Sequence, residues 1–434
     1  MKYDPINPEL FVNNRKKLVS LLKEGSIAFF NSNDEMPRNG DANFPFRQQS
    51  DLFYLTGIDQ EQTILVLCPN HPLPNYREVL FLRKTSATIA VWEGHKYTKE
   101  EAREASGIKS IFWTDEFDSL LPVLMNHSKT VYLNINENDR FSSEVPYRDL
   151  RFSRDIQNRY PGHGFDRSGP LLARVRALKS EIEVDVMRKA MSITGKAFRR
   201  ILGFIKPGVM EYEIEAEITH EFLRNRATGH AYSPIIASGK NACVLHYIDN
   251  NQKCNDGDVI LMDFGAEYAN YAADLTRCVP VNGKFTDRQK EVYNAVLSVM
   301  RDATKMLTPG NTIEKYHSDV GKLMEEQLIR LGLLNKQDVE KQDPSQPLYK
   351  KYFMHGTSHF LGLDVHDIGN RYEPMKEGMV FTCEPGIYIP DEEIGIRIEN
   401  DILVTKNGPV DLMSDIPIEA DDIESLMQSE MVSN

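Results

Sequence analysis

The sequence predicts two domains, an α/β domain over residues 1–173 and an α+β domain over residues 174–434. A chain of 434 residues is longer than one hydrophobic core usually supports. The first third alternates short apolar runs with polar helical stretches, which is typical of an α/β domain. The remainder has long amphipathic helices followed by apolar segments that end in carboxylates, which indicates helices and strands in separate runs.

Four short apolar runs indicate the strands of the N-terminal domain, and a polar stretch between them, Thr98–Ala105, indicates a helix. The predicted strands are Ser26–Phe30, Thr63–Cys68, Glu78–Leu82 and Thr130–Leu133. Glycine and proline then cluster in the segment Pro161–Pro170. Because these residues interrupt regular structure, the segment is predicted to mark the boundary between the two domains.

An order of helix, Pro-Gly break and helix occurs twice in the C-terminal domain, which indicates an internal duplication. The two copies comprise the capping boxes Ser180/Glu183 and Thr286/Gln289, the breaks Pro207-Gly208 and Pro309-Gly310, and second helices at about Tyr212–Arg224 and Ile313–Leu331. Apolar, carboxylate-bearing segments follow the helices in each copy. Two unrelated helical hairpins are the alternative interpretation.

Charge and composition exclude several kinds of partner and compartment. A net charge of −13 argues against nucleic acid or an anionic membrane as the main partner. No apolar run approaches the roughly 20 residues that span a bilayer, and no secretory signal is expected from the polar N-terminus. The five cysteines are odd in number and form no C-x-x-C pair, so neither a disulfide framework nor a zinc-thiolate site is expected. The sequence therefore predicts a cytoplasmic protein.

The first candidate functional residues are two aspartates in the first copy. Asp263 ends the apolar run Val259–Met262, and Asp274 follows shortly after. A hairpin with its tip between Tyr268 and Ala269 would place the two aspartates directly opposite each other, with Cβ atoms about 4.5–5.5 Å apart. Two ionised carboxylates that close within an apolar sheet require either a raised pKa or a cation between them, and the cation is the more stable solution.

The second copy repeats this arrangement with two glutamates. Glu384 ends an apolar run and Glu399 lies on the returning one, so a turn at Asp391-Glu392 would place them opposite each other. His359 lies in a short segment that also contains His355 and His366. His355 and His359 are four residues apart, but the Gly-Thr-Ser between them favours loop or strand over helix, and no H-E-x-x-H pattern is present.

One histidine and four carboxylates form an oxygen-rich donor set that favours Mn²⁺, with Fe²⁺, Co²⁺ and Zn²⁺ as alternatives. Two such ions bridged by carboxylates at about 3.5–4 Å would generate a hydroxide nucleophile at neutral pH, so a hydrolase is predicted. Purely structural interpretations exist for each residue, namely turn or capping roles for Asp263 and Asp274, backbone-bonded roles for His355 and His366, and an ion pair between Glu399 and Arg397. Five candidate ligands at hairpin-compatible spacing favour the metal site.

Four motifs resemble those of the Xaa-Pro aminopeptidases (aminopeptidase P), which are "pita-bread" metallopeptidases. They are H-G-T-S-H-x-L-G-L-D-V-H at 355–366, E-P-G-x-Y at 384–388, G-I-R-I-E-x-D at 395–401, and the segment Arg38–Asp51 with Tyr54–Gly57. The resemblance covers nearly the whole chain and implies a pita-bread catalytic domain with an α/β creatinase-like N-terminal domain. Asp263-Phe264-Gly265 departs from the Asp-Ala-Gly or Asp-Tyr-Gly of many relatives, a difference that affects packing beside a ligand.

The resemblance implies two divalent metal ions and assigns their ligands. Asp263 would bind one ion, Asp274 and Glu399 would bridge, and His359 and Glu384 would bind the other ion. Glu384 would also carry the proton from the bridging water.

The resemblance also assigns five residues around the metals. His246, His355 and His366 match the active-site histidines of the family, which would hold the scissile carbonyl and the proline-side product. Tyr388 and Arg397 resemble the pair that orients the metal carboxylates and relays protons.

The implied reaction is release of the N-terminal residue from peptides with proline in second position, by attack of a metal-bridging hydroxide. A homodimer or homotetramer is implied, with the N-terminal domain making subunit contacts and closing the active site. Three alternatives stay open: a prolidase that cleaves only Xaa-Pro dipeptides, a metal-free amidinohydrolase of the same fold, and a binding protein that has lost its metal.

Overall fold

The structure, a computed structural model, describes residues 3–138 and 140–433, with side chains described as far as Ser429. It divides into two compact units, the N-terminal unit of residues 4–176 and the C-terminal unit, which comprises Tyr3 and the residues from Ala177 onward. The boundary between the units follows Arg176. Among the described residues, no helix has both the length and the apolar character needed to cross a membrane.

The N-terminal unit is built around a six-stranded mixed sheet of order β6-β5-β4-β1-β7-β8. Its strands are β1 Ser26–Asn31, β4 Ile64–Leu67, β5 Glu78–Leu82, β6 Ser110–Trp113, β7 Thr130–Leu133 and β8 Gly164–Arg167, and a separate hairpin is formed by β2 Pro37–Asn39 and β3 Ala42–Asn43. The helices are α1 Glu9–Val19, α2 Ser50–Thr56, α3 Ala87–Glu93, α4 Lys99–Ser106, α5 Phe117–Met125, α6 Arg148–Arg159 and α7 Gly169–Arg176.

The four predicted N-terminal strands all form, and all lie in this sheet. Every residue of β1 is buried, because β1 is a central strand with apolar neighbours on both faces. The segment Pro161–Pro170, predicted to mark the domain boundary, contains β8, which pairs in parallel with β7 at the edge of the sheet. Only the edge position of β8 makes its short polar sequence compatible with a strand.

The C-terminal unit contains long helices and small antiparallel sheets. Its helices are α8 Glu181–Leu202, α9 Glu211–Arg224, α10 Asp287–Lys305, α11 Ile313–Arg330, α12 Lys336–Glu340 and α13 Ala420–Ser433. Its strands are β9 Gly229–His230, β10 Ile235–Ser238, β11 Val259–Asp263, β12 Ala266–Tyr268, β13 Tyr271–Ala272, β14 Thr276–Pro280, β15 Val380–Cys383, β16 Gly386–Ile389, β17 Ile394–Arg397, β18 Asn400–Leu403 and β19 Val410–Asp411. The sheets have the orders β10-β11-β14, β13-β12-β9, β15-β18-β19 and β16-β17.

Both predicted capping boxes are present at the starts of α8 and α10. The Ser180 and Thr286 hydroxyls accept hydrogen bonds from the backbone three residues later, and the side chains at those positions return the bond. Gly208 and Gly310 adopt φ angles of +100° and +90° after the first helix of each copy. The predicted order of helix, break, helix and carboxylate-bearing hairpin therefore occurs twice, which supports the duplication.

The first hairpin has a different register from the predicted one. Tyr268 pairs with Tyr271, so the tip lies between Ala269 and Asn270, both of which have positive φ angles of 52° and 63°. Asp263 consequently pairs with Thr276, and the prediction that it lies directly opposite Asp274 is wrong. A two-residue turn with both φ angles positive matches the twist of the strands, but Ala-Asn is not one of the dipeptides that signal such a turn.

The second hairpin has the predicted register. Cys383 pairs with Asn400 and Gly386 pairs with Arg397, so Glu384 and Glu399 occupy opposed positions between these pairs. The turn is the short helical segment Pro390–Glu392, which contains Asp391-Glu392 as predicted.

Candidate metal centre

The predicted ligands lie where strands begin and end in the C-terminal unit. Their positions are Asp263 at the last residue of β11, Asp274 between β13 and β14, His359 in the loop before β15, Glu384 directly after β15 and Glu399 directly before β18. Between Asp263 and Asp274, a Cβ atom at Gly265 would lie 1.7 Å from the carbonyl oxygen of Ala273. Only glycine therefore lets the two arms of the first hairpin approach so closely beside the carboxylates.

Ligand atoms of Asp274, His359 and Glu399 all lie within 4.8 Å of one another. His359 Nε2 lies 3.5 Å from Asp274 Oδ2 and 3.5 Å from Glu384 Oε1. His359 Nδ1 lies 3.0 Å from the carbonyl oxygen of Phe360, so Nδ1 carries the proton and donates it. Nε2 then faces the carboxylates, and it is the nitrogen through which a metal would bind this histidine. In the metal-free protein burial disfavours the charged form of His359, but the hydrogen bond to Asp274 and the charge of Glu384 outweigh this effect and raise its pKa.

Asp263 is held by two side chains from other parts of the unit. Arg397 Nη2 donates to Asp263 Oδ2 at 2.6 Å. The Tyr232 hydroxyl lies 2.5 Å from Asp263 Oδ1 and also contacts Asp274 Oδ1. A register offset of two residues keeps both aspartates on one face of the hairpin, so they share this hydroxyl although they are not directly opposed.

The carboxylates of this centre are difficult to ionise together. Burial, with repulsion from Asp274 and Asp263, raises the pKa of Glu384 from 4.5 to about 7. Burial and the nearby carboxylates also raise the pKa of Glu399 well above its usual value. The pKa of Asp263 is raised by burial despite the Arg397 guanidinium beside it. Carboxylates crowded in this way around an imidazole nitrogen fit a divalent cation, which would stabilise their ionised forms.

A hydrogen-bonded chain leads from Arg397 to His355. Arg397 Nη1 donates to the Tyr388 hydroxyl oxygen at 2.9 Å. His355 Nδ1 lies 2.8 Å from the carbonyl oxygen of Gly356 and is therefore the protonated nitrogen. Its Nε2 accepts from the Tyr388 hydroxyl at 2.8 Å. Burial, followed by the positive charge of Arg397, lowers the pKa of His355 to about 3, so this imidazole is neutral.

The other two predicted histidines differ in how closely they approach the centre. The ring of His366 stacks on that of the candidate ligand His359, with centroids 4.0 Å apart. His246 is exposed on the loop after the short helical segment Gly239–Cys243, close enough to His355 to lower its pKa. The structure thus brings His355 and His366 into contact with other residues of the centre and leaves His246 at its edge.

Sequence reasoning missed three side chains that hold these residues in place. One is Tyr232, which lies in a loop without a recognisable motif. The second is Thr276, whose Oγ1 donates to Glu399 Oε2 at 2.6 Å and accepts from Arg397 Nε at 3.1 Å. Its spacing of two residues from Asp274, which places both on one face of a strand, was an available signal.

The third missed side chain is Arg277, which is fully buried in β14. Its guanidinium donates to the carbonyl oxygens of Glu399 at 2.7 Å and Thr276 at 3.0 Å, and to Asn400 Oδ1 at 2.7 Å. It therefore ties the first carboxylate hairpin to the second. An arginine within an apolar strand could have indicated such a role, because a guanidinium is buried only with its donors satisfied.

Comparison with known proteins extends over both units. Residues 185–406 match metallopeptidase family M24, and residues 11–132 match the aminopeptidase P N-terminal domain. The Xaa-Pro aminopeptidase of Escherichia coli strain K12 is 36% identical, over 97% of this chain and 98% of its own. The Xaa-Pro aminopeptidase of Haemophilus influenzae is 34% identical, over 96% of this chain and 97% of its own.

Solved structures agree with this likeness. Aminopeptidase PepP of Pseudomonas aeruginosa superposes with a TM-score of 0.89 at 32% identity, over 99% of this chain and 99% of that chain. Aminopeptidase P from E. coli with the inhibitor Pro-Leu superposes with a TM-score of 0.86 at 34% identity, over 98% of this chain and 99% of that chain.

The two-unit fold and its carboxylate and histidine centre define a metal-dependent hydrolase that acts on peptides. The chain belongs to metallopeptidase family M24, with the N-terminal domain of the aminopeptidase P type. The predictions of family, fold class and enzyme class are thereby confirmed.

Proposed function

We propose that this chain releases the N-terminal residue from peptides whose second residue is proline. The observation that carries the proposal is the likeness to Xaa-Pro aminopeptidases, which extends through both units. A bond before proline is a tertiary amide without an N–H, so an enzyme that cleaves it must act without gripping that group. A centre that acts on the carbonyl carbon meets this requirement.

Two divalent metal ions, with manganese as the first candidate, are the proposed cofactor. The residues that would hold the ions are Asp263, Asp274, His359, Glu384 and Glu399. When bound, the metal would supply a nucleophilic hydroxide at neutral pH and would polarise the scissile carbonyl. The position of His359 Nε2, which faces Asp274 and Glu384, supports this ligand set.

Glu384 is the proposed proton carrier. Glu384 Oε1 lies 3.5 Å from His359 Nε2, which places this carboxylate at the centre, where it could accept a proton from the attacking water and then donate it. The departing proline nitrogen must receive a proton, because a tertiary amide nitrogen leaves as an amine only when protonated. Carriage of the proton from the attacking water to that nitrogen by Glu384 would satisfy both needs.

The histidines and the Arg397–Tyr388 pair are proposed to bind and orient. Tyr388 and Arg397 would hold Asp263 and His355 in place through the hydrogen bonds described above. Both ring nitrogens of His355 have protein partners, so it can bind the scissile carbonyl only after exchanging one of these bonds. His246 and His366 are proposed to hold the carbonyl and the proline-side product.

A cytoplasmic homodimer or homotetramer is the proposed state of the protein, with the N-terminal unit making subunit contacts and closing the active site. Val91 and Trp92 on α3 are 81% and 84% exposed. Large apolar side chains so exposed are often covered by another protein surface. Sedimentation of the purified protein, with Trp92→Glu as the comparison, would test the assembly, and a monomeric wild type would contradict it.

The activity is tested with matched peptides of the forms Xaa-Pro and Xaa-Pro-Xaa and with manganese-loaded protein. Release of the first residue from the tripeptide, abolished by EDTA, is the expected result. Cleavage of the dipeptide alone would make the enzyme a prolidase, and cleavage of neither would favour a binding protein. Asp274→Ala should lose activity and bound metal without unfolding, whereas Asp256→Ala, at an exposed position before β11, should retain both.

A further inference from the structure

His317 lies on α11 and contacts the loop that carries His355 and His359. Its Nδ1 accepts a hydrogen bond from the backbone N–H of Thr357 at 3.1 Å. Thr357 lies midway between the two loop histidines and is only 1% exposed. Water therefore cannot replace the imidazole as acceptor, and the N–H of Thr357 depends on His317.

The same peptide segment is bound on its other side to β15 and to Glu384, which directly follows it. The Thr357 carbonyl oxygen accepts from the Glu384 N–H at 2.9 Å. The His359 carbonyl oxygen accepts from the Thr382 N–H at 3.0 Å, and the His359 N–H donates to Thr382 Oγ1 at 3.2 Å. The loop is thus hydrogen-bonded along β15, with an isolated bridge between Phe360 and Phe381, and His317 supplies the acceptor on the side away from β15.

Two further contacts hold this part of α11 against the loop and β15. A Cβ atom at Gly356 would lie 3.1 Å from His317 Cε1, so the ring packs directly on the loop backbone. The adjacent Tyr316 donates from its hydroxyl to Cys383 Sγ at 3.4 Å. Neighbouring residues of α11 therefore hold both the loop and the residue that precedes Glu384. Burial, with a smaller effect of His359, lowers the pKa of His317 to about 4, so Nδ1 keeps its lone pair at neutral pH.

We propose that His317 is a positioning residue, which fixes the backbone between His355 and His359 by accepting the Thr357 N–H. The effect on catalysis rests on the proposed function, because it is expressed through the placement of His355 and His359. The effect on the loop itself does not rest on it.

Four variants separate this role from a general loss of structure. His317→Leu removes the acceptor and keeps an apolar side chain of moderate size. His317→Asn places an amide oxygen near the position of Nδ1, whereas His317→Gln places it one bond further from the backbone. Ser318→Leu introduces the same leucine at the next, exposed position of α11 and serves as the matched control.

Two measurements are made on each variant: tripeptide hydrolysis by manganese-loaded protein, and hydrogen exchange of the backbone across residues 353–360 in metal-free protein. His317→Leu should lower kcat about tenfold and speed exchange of this segment about tenfold, since a buried N–H loses its acceptor. His317→Asn should stay within about twofold of wild type in both measurements, and Ser318→Leu should match wild type.

Wild-type exchange and kcat in His317→Leu would overturn the proposal, as would equal damage in His317→Asn and His317→Gln. If His317→Leu does not fold, the comparison of the Asn and Gln variants decides alone, with damage confined to Gln as the supporting result. A wild type that cleaves no peptide would refute the proposed function, and the exchange comparison would still test the role of His317.

Discussion

Replacing Thr276 by valine would remove one hydroxyl from the metal centre with little change in side-chain shape. Thr276 is fully buried, and its hydroxyl donates to Glu399 at 2.6 Å while it accepts from Arg397 at 3.1 Å. Valine cannot do either, so Glu399 loses the bond that orients it and one donor of Arg397 is left without an acceptor.

The magnitude follows from the two charged partners. A hydrogen bond to a charged group contributes about 1.5–3 kcal/mol, and loss of a residue that orients a metal ligand typically weakens metal binding by about 10–100-fold. Both ranges include about 2 kcal/mol, which corresponds to roughly 30-fold. Thr276→Val should therefore bind Mn²⁺ about 30-fold more weakly than wild type, and Thr276→Ser should recover most of this loss.

Competition for Mn²⁺ against a fluorescent chelator measures this change directly. Thr56→Val is a matched control, because Thr56 is also fully buried and its hydroxyl also makes two hydrogen bonds, to Leu52 O at 2.7 Å and from Ile58 N at 3.1 Å. It lies in the N-terminal unit, so it should lower the melting temperature without changing Mn²⁺ affinity. Wild-type affinity in Thr276→Val, or equal losses in the two variants, would refute the reasoning.

Three further predictions concern metal removal, a buried ion pair and the shared hydroxyl. Because the pKa of Glu384 is raised from 4.5 to about 7, the folded metal-free protein binds the extra proton, so its melting temperature should fall as pH rises through 7; a rise would contradict this. Lys179 Nζ and Asp367 Oδ2 lie 2.7 Å apart, and each side chain is 1% exposed. Lys179→Met should therefore lower the free energy of unfolding by about 3–5 kcal/mol, because it leaves the Asp367 carboxylate buried without its partner. Adding Asp367→Leu should recover part of this loss, and a double variant no more stable than the single variant would exclude the ion pair as the cause. Tyr232→Phe should weaken Mn²⁺ binding about tenfold in the same competition assay, and unchanged affinity would argue against the bridging hydroxyl.

Much of the C-terminal unit is predictable from sequence because its signals are local. Ser180 and Thr286 start helices through bonds to residues only three positions away. The register of the second hairpin follows from its turn, since every pair from Val380 to Ile389 keeps one alignment. Local sequence signals therefore suffice to predict that four carboxylates lie on two hairpins of this unit.

The first hairpin shows where local signals end. Ala269 and Asn270 form a tight turn, but Ala-Asn is not a dipeptide that predicts one. The register is therefore shifted by two residues from the predicted one, and Thr276 rather than Asp274 pairs with Asp263. The face of the strand is unchanged by an even shift, so both aspartates still lie on one face of the hairpin although the predicted register is wrong.

Contacts between distant segments were not predictable. Tyr232 reaches Asp263 and Asp274 across 31 and 42 residues of chain, and Arg277 reaches Glu399 across 122. No periodicity encodes such contacts, because they arise when separate elements pack together. His317 belongs to the same class, since its contact with Thr357 spans 40 residues.

Charge balance supports the proposed pair of metal ions. Four carboxylates surround the centre. Arg397 lies against Asp263, and His359, which would be neutral once a metal binds its Nε2, lies against Asp274 and Glu384. A buried excess of negative charge is strongly unfavourable, which is why the pKa values of Glu384 and Glu399 rise in the metal-free protein. Two divalent ions together with Arg397 would balance the four carboxylates and one hydroxide, whereas a single ion would leave two negative charges uncompensated. A titration that saturates at one Mn²⁺ per chain in the fully active enzyme would therefore contradict this assignment.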